Sequence, residues 1–371
     1  VALSEDRRTA LRTAALAAVV RSIDGSEIPV DDVAAVGSSA VGVVRDGTAE
    51  VFVEQSTPGT IAGAVLWADR CHAEHLRLIV DPPALGALRW ASRFTTPTTV
   101  FERNGATAVL VDPARLLDPA FPLDSGAPLE FAEPVGSRPL ADDADDVGLR
   151  DLMSAAGLEV VTEDGVVTGE VLGLEVARLV VWPVDSGGDG RVHLEVGVGR
   201  FDRDAAAAVH PGEAAEVSLR RTIDAVAPHR VAGAVAHPAA LLARERWLRR
   251  SIIDDPSALG VDVSDLEPTP TTVRRSGVRD VAPAAALGRD EAGGEVLVVC
   301  SVGSDLGFVP VAADTRAVRH PGARLVLVVP ERDLLVGTRR LGELVVGGAE
   351  LVGVSPPWDP PSGGQLGGTG S

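Results

Sequence analysis

The side chains of this chain best placed to do chemistry are acidic ones in extended apolar segments. Glu170 and Glu175 lie in the run Glu170 to Trp182, and His193 and Glu195 lie in the run Arg191 to Val196. On neighbouring strands these four would present oxygen and nitrogen ligands to a divalent cation, Mg or Mn. Glu175 and Glu195 are then the candidate catalytic carboxylates. Arg200 could reach back toward them electrostatically, although a guanidinium cannot serve as a base.

Three other constellations compete. Gly197-Val198-Gly199-Arg200-Phe201-Asp202 follows a strand and opens a helix, so Gly197, Gly199 and Asp202 are candidates for a dinucleotide-binding turn. An aspartate stands at its third glycine position and would repel a pyrophosphate at a helix N-terminus, where it would instead make a good cap. Ser301 and Asp305, then Glu331, Arg332 and Asp333, then Ser355 and Trp358 follow three apolar runs. If those runs are parallel strands, the residues emerge at the carboxyl edge where open α/β sheets place ligands. Cys71 and His75 are four apart, a spacing that can share a metal on one helical face. No second ligand pair accompanies them, and a structural reading is favoured.

Composition closes several routes. The chain of 371 residues has no lysine and no tyrosine, and all 34 basic side chains are arginine. Schiff-base amines, P-loop lysines, kinase ion-pair lysines and Tyr/Lys proton relays are excluded together. No Gly-x-Ser-x-Gly elbow presents a serine, and the seven histidines show no zinc spacing. A net charge of −19 opposes an extended grip on nucleic acid, which needs clustered cations to displace counterions. Arg220-Arg221, Arg244 to Arg250 and Arg339-Arg340 are the basic patches, each in helical context and read as solvated faces. Cys71 and Cys300 are too few and too far apart for a disulfide framework, so a reducing cytoplasm is the expected setting. Leu11, Ala15, Val19 and Ile23 keep a four-residue step, which predicts an amphipathic helix rather than a signal segment. No apolar run reaches the ~18 residues that a membrane span needs.

These residues need an α/β framework, and the patterning predicts one. A helix (Asp6 to Ile23), extended segments ending Val41 to Glu54, a helix (Thr60 to Ala73), a strand (His75 to Val80), a helix (Leu85 to Arg93) and a strand (Thr98 to Arg103) form a first unit, residues 1–115. A Pro/Asp-rich linker is expected over 116–147, and a Pro/Gly/Ser tail over 356–371. The second, larger unit, 148–355, is expected to repeat the first. A helix (Leu149 to Ala156) precedes three extended segments, a helix (Ala214 to Ala227), an apolar run (Val231 to Ala236) and a helix (Ala239 to Ile253). Thr96-Pro97-Thr98-Thr99-Val100 is echoed by Thr269-Pro270-Thr271-Thr272-Val273. Glu295 to Cys300, Arg324 to Val329 and Glu350 to Val354 are a third, partial echo. The expected class is α/β, with two mixed or parallel sheets and an internal duplication.

The order helix, three extended segments, helix, strand resembles the αβββαβ core of the restriction-endonuclease-like PD-(D/E)xK superfamily. The local resemblance is to the Holliday-junction-resolvase-related family, marked by a Gly-Glu-x-Asp strand and a Phe-Val-Glu-x-Lys strand. Val51-Phe52-Val53-Glu54-Gln55-Ser56 is similar to the latter, as is His193-Leu194-Glu195-Val196-Gly197. Gly173-Leu174-Glu175-Val176-Ala177 is similar to the former. Such a site implies an Asp and a Glu on a divalent cation and a Lys that orients the attacking water. Ser56 and Gly197 occupy the lysine positions, and Ala177 that of the metal-binding Asp. The resemblance therefore implies a nuclease scaffold without its cutting site. The expected function is a non-catalytic interaction or scaffold module, with a protein partner or self-association. The alternatives are a lysine-free, metal-dependent hydrolase and a nucleotide-binding regulator.

Overall fold

The computed structural model describes residues 4–117, 146–182, 187, 189–209, 212–234, 237–275 and 277–360. Most of the expected linker and the last eleven residues of the expected tail lie outside these. The fold is α/β, with sheets of six, four and five strands. Its elements cluster into two compact units, each assembled from separate stretches of chain. One holds the described residues of 4–117, 303–327 and 333–351, and the other those of 146–302, 328–332 and 352–360.

The first unit begins with α1 (Glu5–Asp24), β1 (Ala34–Val36), β2 (Ala40–Arg45) and β3 (Thr48–Val53). Asp46 and Gly47 both have positive φ, 47° and 74°, and this two-residue turn forces β2 and β3 to pair antiparallel. Next come α2 (Pro58–Arg70), β4 (His75–Val80), α3 (Leu85–Ala91), β5 (Thr98–Asn104) and β6 (Thr107–Leu110). A capping box between Thr57 and Thr60, with Pro58 in the first turn, starts α2. The helical crossovers make β3, β4 and β5 parallel, and the sheet runs in chain order from β1 to β6. Alternation along the strands separates two apolar faces. Val41, Val43, Phe52 and Ile79 pack with Leu16, Val19 and Val20 of α1. Gly42, between Val41 and Val43, carries α2, where a Cβ would stand 2.8 Å from the Trp67 ring.

The second unit departs from the expected repeat. After α4 (Val147–Ala155), the chain forms β7 (Glu159–Glu163), β8 (Val166–Val171), β9 (Leu174–Val181) and β10 (Val192–Val196). The run Glu170 to Trp182 is thus no single strand, because Leu172 (φ 46°) and Gly173 (φ 80°) turn the chain within it. Asp164-Gly165 makes the same kind of turn, and the four strands form an antiparallel sheet in the order β10-β9-β8-β7. Two helices, α5 (Gly199–Val209) and α6 (Ala215–Val226), follow. The run expected as a strand at Val231 begins as a turn, and its last two residues lie outside the described ones. The expected helix Ala239 to Ile253 is broken into α7 (Pro238–Leu241) and α8 (Arg244–Asp254), with Ala243 left-handed between them.

Then β11 (Ser264–Thr269), β12 (Ala284–Arg289) and β13 (Glu295–Cys300) form an antiparallel meander. The chain continues through α9 (Phe308–Arg319), β14 (Arg324–Pro330), α10 (Val336–Leu344) and β15 (Glu350–Val354), and the five strands lie in chain order. The order helix, three strands, helix, strand, helix, strand therefore occurs at 5–104 and again at 244–354. The matching stretch begins at α8 (Arg244), whereas it was expected from the helix at Leu149. Thr269 ends a strand while Thr98 begins one, so the Thr-Pro-Thr-Thr-Val echo marks no equivalent element.

Within the first unit, α2 packs on α9, α3 on α9 and α2 on α10. Phe94 and Val345, just past α3 and α10, form an antiparallel bridge: Thr95 N donates to Leu344 O (2.8 Å) and Val346 N to Arg93 O (2.9 Å). Arg89 of α3 binds Asp314 of α9, and Arg340 of α10 binds Asp69 of α2. These contacts are reciprocal, α3 to α9 and α10 to α2.

Candidate functional site

The strand carboxylates of the second unit do converge, and they converge on arginines. Glu170 is the cross-strand neighbour of both Glu159 and Glu175, so three like charges stand in a row across β7, β8 and β9. Left alone, such a row is repulsive. Helix α8 answers it with Arg246, Arg249 and Arg250, which share a face at steps of three and four. Arg246 donates to Glu163 and Glu170, Arg249 donates to Glu163 with its second nitrogen 3.6 Å from Glu170, and Arg250 stands 3.1 Å from Glu159. Gly173 permits this approach, since a Cβ there would lie 2.5 Å from the carbonyl carbon of Arg246.

A second cluster adjoins the first. Glu175 accepts a bidentate pair from Arg178 (2.9 Å each) and a third bond from Arg203 of α5 (2.8 Å). Arg203 also stands 3.3 Å from Glu195, so the two candidate catalytic carboxylates share one guanidinium. Gly197 (φ 146°) makes this possible, because a Cβ there would lie 2.8 Å from the backbone nitrogen of Arg203. Arg200 is turned away, exposed and 3.7 Å from Asp204. His193 is held by Asp189 (2.8 Å) and stacks on Trp182 at 4.3 Å.

The electrostatics follow from burial against guanidinium charge. Burial works to raise Glu163 and Glu175, but the arginines around each outweigh it and hold both below the usual carboxylate range. Glu170 goes the other way: its burial exceeds the pull of Arg246 and Arg249, and Glu163 and Glu159 add to the rise. Divalent-cation binding needs free carboxylate oxygens. Here both Glu175 oxygens accept from guanidinium groups, and Glu170 Oε1 accepts from Arg246 and Thr168. Among the described residues no group of three His, Cys, Asp or Glu side chains could hold a metal ion. Glu170 Oε2, 3.6 Å from Arg249, accepts no hydrogen bond among the described residues.

The candidate dinucleotide turn is also filled. Asp202 accepts the Val198 N–H (2.7 Å), and a Cβ at Gly199 would lie 2.9 Å from the Val278 side chain. Its glycines serve the packing of α5 and of a neighbouring loop. At the expected ligand edge several residues have local partners. Ser301 is buried and its N–H reaches Val328 O (2.9 Å). Asp305 accepts from Gly307 N (2.8 Å), Asp333 from Gly303 N (2.8 Å), and Arg332 faces Asp359 at 3.3 Å. Glu331 and Ser355 are exposed, and Trp358 is buried edge-on to Trp247. His75 bonds Thr99 (2.7 Å) while Cys71 follows α2 in the open, so no Cys/His pair forms.

Arg178 and Arg203 were not singled out from the sequence, and Arg246 and Arg249, expected within the solvated face Arg244 to Arg250, are instead turned inward onto glutamates. The signal for the α8 pair was an Arg row interleaved with Trp247, Leu248 and Ile252, which fits a half-buried helix better than a solvated face. Arg230 was missed entirely. It is fully buried and donates to the carbonyls of Leu172, Ala239 and Leu242, with its guanidinium 4.2 Å over Trp247. Burial disfavours its charged form, and among the described residues no carboxylate hydrogen-bonds it.

Comparison with family models, curated proteins and solved structures finds no match to this chain. No helix among the described residues is long and apolar enough to cross a membrane.

Proposed function

We propose that this protein is a non-catalytic interaction or scaffold protein built on a duplicated, nuclease-like αβββαβ core. The observation that carries the reading is the closure of the strand carboxylates by arginine. Glu175 is held by Arg178 and Arg203, and Glu195 shares Arg203. In the first unit Glu54, at the end of the strand similar to Phe-Val-Glu-x-Lys, accepts two bonds from Arg12 (3.0 and 2.9 Å). At Glu175 a cation would have to displace a bidentate, charge-assisted pair that is already largely desolvated.

The duplication is supported by the recurring element order and by matching positions in α3 and α10. Gly86 and Arg89 stand to the Phe94 bridge as Gly337 and Arg340 stand to Val345. The partner is another protein or a second copy of this chain. The larger basic patches offer nucleic acid little: Arg246, Arg249 and Arg250 are spent on glutamates, Arg221 on Glu213 and Arg340 on Asp69.

Calorimetric titration with Mg²⁺ and Mn²⁺, with nuclease assays on single-stranded, nicked and branched DNA, tests the proposal. The expected result is no saturable heat and no cleavage. Cleavage that disappears in Glu195→Ala would overturn it.

A further inference from the structure

We infer that the first unit carries a binding site for a small oxyanion of the phosphate-monoester class, centred on Arg316. The site is a cavity of about 460 Å³ between the end of α9, the start of β14 and the loop before β15, lined by Arg316, Gly322, Arg324, Gly347, Gly348 and Glu350 among others. A second cavity of about 350 Å³ shares Arg316, Gly322 and Gly347 and adds Ser92 and Arg93. Three arginines and one glutamate thus line the pair, in a chain of net charge −19.

The charges around the cavities are unevenly matched. Glu350 is held by Arg324 at 3.0 Å. Arg93 is likewise held, by Asp314 at 2.9 Å. Arg316 donates to the carbonyls of Gly348 (2.8 Å) and Val346 and has no carboxylate partner among the described residues. Those carbonyl bonds hold the guanidinium in place without neutralising it. Its half-buried setting weakens hydration of the charge, so an anion is the missing counterion. Gly347 lies against the guanidinium, where a Cβ would stand 3.5 Å from an Arg316 nitrogen, and its φ of 79° is one that side-chain-bearing residues rarely adopt. Arginine suits phosphate oxygens because its planar donors bind them in pairs.

The test is calorimetric titration of the full chain with inorganic phosphate, with AMP and citrate as parallel arms. Saturable binding of one phosphate per chain is expected, weakened at least about tenfold in Arg316→Gln, the loss of about one charge-assisted bond. Glutamine keeps a donor for the loop carbonyls, and circular dichroism of the anion-free variant reports folding. Arg324→Gln, which leaves Arg316 in place, is a second variant and is expected to weaken phosphate in the same direction. Tighter AMP than phosphate would assign the ligand to phosphate esters, and tighter phosphate to the free ion. No saturable phosphate heat up to about ten millimolar, binding by both variants as tight as by the unaltered chain, or citrate bound in preference would overturn the inference. None of the carboxylates tested with Mg²⁺ lines the cavity, so this outcome and the scaffold reading are independent.

Discussion

At Glu175 one carboxylate accepts from two arginines inside the protein, and this decides how the residue behaves when altered. Glu175→Gln leaves the largely buried Arg178 without its counter-charge and Arg203 with Glu195 alone. Breaking a buried pair from one side costs about 3–5 kcal/mol. A urea midpoint lowered accordingly, with unchanged slope, is the expected result, and an unchanged midpoint would contradict the network. Acid should separate the glutamates by sign. Glu163 and Glu175 are held low, so their stabilisation is fully present above an unfolded glutamate's pKa of about 4.3 and is lost as pH falls through their folded values. Glu170 is raised, so the folded state takes up its proton first and gains stability as pH falls toward about 4.3. Glu50 and Glu245, raised by burial, share that sense. Stability measured from pH 7 downward should therefore hold or rise before it drops below about pH 4. Glu170→Gln should reduce the rise and keep the drop, whereas a steady loss beginning near pH 6 would refute this balance.

At the scale of elements, the turns are what the arginines depend on. Gly173 lies in a positive-φ turn with the backbone of α8 almost against it. Gly173→Ala must strain the turn or push α8 from the glutamate row, an overpacking cost of about 1–3 kcal/mol. Gly105→Ala, also at positive φ but with open space around it, should cost less, so the difference between the two in thermal unfolding measures the packing of α8. The helices and strands of the first unit were legible because Leu, Val and Ile recur with helical or strand period and Asp46-Gly47 marks the hairpin. The second unit was misread at the same level of detail. Leu172-Gly173 turns the chain inside a run of apolar residues, and leucine at positive φ carries no turn signature. Missing that turn made two antiparallel strands look like one and suggested a repeat that starts too early.

Across the molecule, the reciprocal helix contacts differ in burial although they match in position. Asp314 is buried and held by Arg89 and Arg93, whereas Arg340 is nearly half exposed where it meets Asp69. Asp314→Ala should destabilise strongly and Asp69→Ala much less, since an exposed pair is screened by water and salt. Equal effects in denaturant unfolding would argue against this asymmetry. The amino-acid sequence by itself determined the α/β class, most elements of the first unit, the absence of lysine chemistry and the positions of the strand carboxylates. These follow from composition and from periodicities read within a few residues. Only the tertiary structure decided what the carboxylates do. Glu170 and Arg246 are 76 residues apart and Arg89 and Asp314 are 225 apart, so no local pattern announces that they meet. A buried carboxylate is a ligand or a structural anchor according to which side chain reaches it first, and here that side chain is arginine.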